Sequence, residues 1–123
     1  MKFEDYKEWV MSRVNTENAK LCETFVNEKE PVGHNTRLAL AAMGLAGETG
    51  EVVDLLKKVL FHGKPLDVAL RDKLILEMGD VLWYYALLAY LIDVPLEEIM
   101  RRNVVKLMER DGKGGEKFHT ART

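Results

Sequence analysis

The sequence predicts an all-α fold of four helices. Three observations carry this. Apolar residues recur at three- and four-residue intervals over long stretches, and no segment alternates convincingly with period two. Breaker clusters at Pro31-Val-Gly33 and Phe61-His-Gly-Lys-Pro65, together with Pro95, cut the chain into helix-length pieces.

In the first piece Phe3, Tyr6, Trp9, Val10 and Val14 follow the helical period, and Leu21 and Phe25 continue it after a polar middle. The second helix is expected to begin near Asn35 or Thr36, either of which can cap it. It runs through Leu38, Leu40, Met43, Leu45, Val52, Leu55, Leu56 and Val59. Asp67 is the expected N-cap of the third, which carries Leu70, Leu74, Met78, Val81, Leu82, Tyr85, Leu88 and Leu91. Apolar residues surround its second half, the pattern of a helix buried on more than one side. In a chain this short that points to burial against a second subunit. Pro95 suits the first turn of a fourth helix with Ile99, Val104, Leu107 and Met108 inward. Gly112, Gly114 and Gly115 are expected to end it.

At 123 residues the chain is expected to be a single domain, 1–123, with a flexible polar tail from about residue 111. The N-terminal stretch is charged and reads as no signal peptide. The best apolar run, Val81 to Val94, is short and contains Asp93, so no membrane span is expected. Cys22 is the sole cysteine, which excludes an internal disulfide and fits a reducing cytoplasm. It has no nearby histidine to make it a nucleophile. A net charge of −2 argues against general nucleic-acid affinity.

Chemistry is suggested by two acidic pairs, Glu48-Thr-Gly-Glu51 and Glu77-Met-Gly-Asp80. The i, i+3 spacing puts each pair on one helix face. Each pair borders apolar sequence rather than a mixed-charge run. Four carboxylates converging in an apolar bundle cannot all stay ionised uncompensated, and divalent metal is the natural compensation. With no Glu-x-x-His and no Cys/His spacing, the donor set is hard oxygen, which favours Mg²⁺, with Mn²⁺ able to substitute. Setting these four aside turns the net charge from −2 to +2, and the C-terminal third holds many of the positive charges. Gly44, Gly47 and Gly50, with Gly79, sit inside helices at a cost of about 1 kcal/mol each. Close approach of the two acidic helices is the expected compensation. Asp54 is a candidate accessory ligand. Asn103, Lys106 and Arg110 fall on one face of the fourth helix and could grip phosphate or sugar.

The run Gly44-Leu-Ala-Gly-Glu-Thr-Gly-Glu-Val52, followed by Glu77-Met-Gly-Asp-Val-Leu-Trp-Tyr84, resembles the MazG-like all-α nucleoside triphosphate pyrophosphohydrolases, whose pattern is E-x-x-E, a spacer, then E-x-x-D. Lys57-Lys58 with Phe61-His-Gly63 resembles the end of that family's second helix, and Asn103-Val-Val-Lys-Leu107 with Arg110 resembles its N-x-x-K-L-x-x-R element. The resemblance runs from about Leu38 to the end. Two features depart from it. Gly47 stands where many members have a doubled Glu, a form closer to the dCTP pyrophosphatase-like branch. Arg110-Asp-Gly112 replaces a common R-Y-P stretch, leaving Phe118 and Arg122 as possible substitutes for its contacts.

The resemblance implies a four-helix MazG-like bundle that is an obligate dimer or dimer of dimers. It implies Mg²⁺-dependent hydrolysis of a nucleoside triphosphate between the α- and β-phosphates, giving monophosphate and pyrophosphate. On this reading Glu48, Glu51, Glu77 and Asp80 hold the metal, and Glu48 is the expected general base. Lys57 or Lys58 would meet the leaving pyrophosphate. Trp83, Asn103, Lys106 and Arg110 would contact substrate, with Trp9, Tyr84, His34 and His62 as further candidates at the base. A broad or purine-preferring deoxynucleotide enzyme, acting on a substrate such as dGTP, is the expectation. The alternatives are a pyrimidine-specific dCTP or dUTP enzyme and a non-catalytic helical interaction module.

Overall fold

The computed structural model describes residues 1–17 and 34–112. Among them are four helices and no strand: α1 (Phe3–Glu17), α2 (His34–His62), α3 (Val68–Leu91) and α4 (Leu96–Arg110). Leu21, Phe25, Cys22, the Pro31–Gly33 turn, Gly114, Gly115, Phe118 and Arg122 lie outside the described residues, as do the side chain of His34 and the tail beyond residue 112.

Local chemistry fixes the helix ends. Gly63 takes φ +65° just past α2, a left-handed conformation that glycine adopts without Cβ strain. The Asp67 carboxylate accepts a 2.9 Å hydrogen bond from the Leu70 N–H, as a capping side chain does at an orphan first-turn donor. α3 stops where Val94 N–H reaches the Ala89 carbonyl and Asp93 N–H reaches that of Tyr90. This is a Schellman-type stop, with Asp93 rather than glycine at positive φ. Pro95 stands at the N-cap of α4, one residue before the first turn expected for it, with φ −75° suited to the entry. Glu97 and Glu98 in the first turn and Arg110 in the last complement the helix dipole. Gly112, again at φ +65°, follows its C-terminus.

α2 and α3 form an antiparallel hairpin, and α1 lies against α3. The core gathers Val10, Met11 and Val14 of α1, Ala41 of α2, and Ala86 and Leu87 of α3, ringed by Phe3, Tyr6, Leu40, Trp83, Leu88 and Leu91. It therefore sits at the C-terminal half of α3. α4 is tied to α1 at its start: Lys7 Nζ donates to the Val94 carbonyl at 3.0 Å, and Glu4 Oε1 accepts from Leu96 N–H at 3.2 Å.

One expectation about burial changes. On α4 the buried residue is Val105, while Ile99, Val104 and Met108 are half-covered and Leu107 is exposed. α3 is apolar all round, yet within one chain it buries only Ala86, Leu87 and Ala89. Leu76, Met78 and Leu82 remain exposed, at 71, 58 and 43%. The described helices do not cover every side of α3. By length and composition alone α3 is also long and apolar enough to cross a membrane, contrary to the reading of its sequence as too short a run. That reading counted uninterrupted apolar residues, whereas Glu77 and Asp80 are outweighed by apolar residues on either side of them.

Candidate active site

The hairpin sets the register of the two acidic pairs. Gly44 of α2 meets Tyr84 of α3. One turn further along α2 is Glu48, and one turn back along α3 is Asp80, so antiparallel packing carries them to the same level. Glu77 is one turn further back. Glu48, Glu77 and Asp80 can each place a carboxylate oxygen within 4.8 Å of the others. Glu48 and Glu77 are half-covered and Asp80 is exposed.

Glu51 is the fourth carboxylate of the sequence pattern. It is exposed one turn beyond Glu48 and is not part of the three-residue group, although its charge is felt at Glu48. Desolvation raises the pKa of Glu48, and the charges of Asp80, Glu77 and Glu51 push it the same way. No cation among the described residues is paired with Glu48, Glu77 or Asp80. Three crowded oxygen donors suit a hard divalent cation, whose two positive charges would relieve their repulsion.

Two tyrosines border the group. Burial raises the phenol pKa of Tyr84, as do the charges of Glu48 and Asp80. Burial and the charge of Asp80 do the same for Tyr6 of α1. The sequence offered Tyr84 only as one of several aromatic candidates, although its i+4 spacing from Asp80 placed it on the same face. Tyr6 read as core, and no local signal links it to Asp80, because the two meet only when α1 packs on α3.

The other sequence candidates are distributed differently. Lys57 is exposed and pairs with Asp54 at 3.2 Å, and Lys58 is half-covered. Asp54 is therefore engaged on the surface of α2. Trp83 packs at the margin of the core with its ring edge-on to Tyr84, centroids 5.0 Å apart. Trp9 is half-exposed and stacks with Tyr6 and Arg13. His62 is exposed at the end of α2. Asn103, Lys106 and Arg110 are exposed on α4. Lys106 lines a shallow depression with Glu98, Arg101, Arg102, Val105 and Glu109, which includes none of the three carboxylates. Arg110 contacts Asp111 at 3.1 Å.

The glycine expectation holds at one position. A Cβ on Gly44 would lie 2.1 Å from the Tyr84 ring, whereas Gly47, Gly50 and Gly79 have no such neighbour among the described residues. The helical period explains the difference on α2. Each step of three residues rotates about 60° short of a full turn, so Gly47 and Gly50 swing away from the α3 face.

Known proteins resemble this arrangement at the level of sequence. The family described as the MazG nucleotide pyrophosphohydrolase domain matches residues 36–114, which span α2, α3 and α4 and contain all four carboxylates of the two pairs. The Gene 37 protein of Mycobacterium phage L5 is 41% identical over 81 residues, covering 63% of this chain and 68% of that protein. No solved structure matches. The match runs over more than half of the chain and contains the helix hairpin that brings Glu48, Glu77 and Asp80 together, so the chain belongs to the MazG nucleotide pyrophosphohydrolase domain family.

Proposed function

We propose that this protein is a divalent-metal-dependent nucleotide pyrophosphohydrolase, converting a nucleoside triphosphate and water to the monophosphate and pyrophosphate. The observation that carries the reading is the convergence of Glu48, Glu77 and Asp80 within 4.8 Å on the hairpin matched by the family. A divalent ion held there would neutralise the crowded carboxylates, polarise a phosphoryl oxygen and make a bound water more acidic. Mg²⁺ is the ion we assign, with Mn²⁺ as a substitute, because the donors are all hard oxygen.

The chain's own residues divide the remaining work. Glu48, Glu77 and Asp80 are ligands, and Glu51 joins them by a side-chain rotation from its exposed position. Glu48, whose neighbours strengthen its hold on a proton, orients the attacking water and takes its proton. Tyr6 and Tyr84 restrict water beside the carboxylates. Lys57 or Lys58 offsets the charge of the departing pyrophosphate. Asn103, Lys106 and Arg110 grip sugar or phosphate, and Trp83 contributes to the base pocket.

We assign the uncovered apolar surface to a second copy of the chain, in a dimer or dimer of dimers. A groove between α2 and α3 is lined by Thr49, Val52, Met78, Val81, Leu82 and Tyr85. Met78 and Leu82 there are large exposed apolar groups, of the kind that mark interfaces. A bilayer suits the same helix poorly, because Glu77 and Asp80 would each cost about 3 kcal/mol at its centre. The protein is thus read as a cytoplasmic enzyme without membrane or nucleic-acid partners. Leu82→Glu should shift the sedimenting species toward monomer, and an unchanged mass would refute this interface.

The deciding assay incubates each NTP and dNTP with Mg²⁺ and separates the products. Monophosphate plus pyrophosphate is expected, with a purine deoxynucleotide such as dGTP turned over fastest. Preference for dCTP or dUTP would narrow the enzyme to pyrimidines. Orthophosphate as first product would indicate another reaction class. Absence of turnover, with metal affinity unaffected by a non-hydrolysable nucleotide, would leave a helical interaction module.

A further inference from the structure

We propose that Gly44 and Tyr84 form a register lock, a ring seated in a backbone notch, that positions Glu48 against Asp80 and Glu77. This rests on reading those carboxylates as a cation site. The lock itself is defined by contact. A Cβ built on Gly44 would lie 2.1, 2.3 and 2.4 Å from Cε1, Cδ1 and Cζ of Tyr84. Three ring atoms of an aromatic side chain lie against the backbone of α2, where any other residue would collide with them. None of Gly47, Gly50 and Gly79 has any such neighbour, so the approach is confined to one level of the hairpin.

That level is one helical turn from the carboxylates on both helices. Glu48 follows Gly44 by four residues, and Asp80 precedes Tyr84 by four, so lock and carboxylates share the same two faces. Helices transmit displacement along their length because their backbone bonds are internally satisfied. Adding a methyl group at residue 44 either parts α2 from α3 or expels the Tyr84 ring toward Glu48 and Asp80. Both outcomes disturb a group that requires three oxygens within 4.8 Å. Trp83 is edge-on to Tyr84, ring centroids 5.0 Å apart, and packs at the core margin. Gly44 and Tyr84 are thus positioning residues, acting through Glu48 rather than on substrate.

The test is a double-variant cycle on the full chain, read by Mn²⁺ affinity from electron paramagnetic resonance and by metal-free thermal unfolding. Gly44→Ala should weaken Mn²⁺ binding by about tenfold or more, as loss of outer supports of metal ligands does. In Gly44→Ala/Tyr84→Ala the collision is absent, and affinity should return to within about threefold of Tyr84→Ala alone. If Gly44→Ala fails to fold, Tyr84→Ala carries the test, with affinity expected to fall about threefold to tenfold because an empty notch frees the register. Three results would overturn the lock: a folded Gly44→Ala with wild-type affinity, a double variant no tighter than Gly44→Ala, or, where Gly44→Ala does not fold, Tyr84→Ala with wild-type affinity. A lowered unfolding temperature with unchanged Mn²⁺ affinity would reduce it to a packing contact. Wild-type protein that binds no Mn²⁺ would overturn the underlying cation site instead.

Discussion

At the junction of α1 with α4, opposite charges are paired and anchored. Lys7 is only 7% exposed, yet its ammonium lies 2.9 Å from Glu4 and 3.0 Å from the Val94 carbonyl. Glu4 in turn accepts the first N–H of α4. In the α2–α3 hairpin, Glu48, Glu77 and Asp80 crowd together with no paired cation among the described residues. The two regions shift their carboxylates in opposite directions. The hydrogen bond from Lys7, then that from Leu96, holds Glu4 below the usual range, while desolvation and like charges push Glu48 above it. The first arrangement stabilises the fold. The second holds like charges together, a repulsion that a bound divalent cation would relieve.

The sharpest break of this contrast is Asp80→Asn. It should lower metal-dependent turnover by about a hundredfold or more and weaken Mn²⁺ binding, with helical content by circular dichroism unchanged. Full turnover in Asp80→Asn would remove the acidic group from the chemistry. Lys7→Met should act on the other region, costing about 2 kcal/mol in urea unfolding by leaving the Val94 carbonyl unpaired and Glu4 without its partner. Its Mn²⁺ affinity should not change, and a parallel loss would show that the two regions are coupled. Asp67→Ala lies outside both and serves as a reference. Loss of the α3 cap should cost about 1 kcal/mol without altering metal binding.

The subtlest difference is in pH dependence. Glu48 binds its proton more tightly in the folded protein than in the unfolded chain. Its contribution to metal-free stability is therefore present in acid and lost as pH rises through its raised pKa. Glu4 behaves oppositely: its contribution is present above the ordinary carboxylate range and lost as pH falls through its lowered pKa. Thermal unfolding of metal-free Glu48→Gln between pH 2 and 7 should lack the decline expected of the wild type on the alkaline side. Glu4→Gln should lose the decline on the acidic side. Identical profiles for both variants would dissolve the distinction between the regions.

Much of this was legible in local sequence. Periodicity and the breakers at Gly63, Asp67, Pro95 and Gly112 set the four helices, because capping and left-handed turns depend on a few neighbouring residues. The i, i+3 acidic pairs were legible for the same reason, as was the MazG family to which the chain belongs. What local pattern could not supply was the pairing between helices. It treated four helix glycines alike, whereas only Gly44 meets a ring, and it treated four carboxylates alike, whereas Glu51 stands apart from the three that converge. It had no means of bringing Tyr6 within reach of the Asp80 charge or Lys7 to the turn before α4, across 74 and 87 residues of chain. Faces and ends of helices follow from neighbours in sequence. Which faces meet, and at what register, follows from burial of apolar surface between distant segments, and only the tertiary structure decided it.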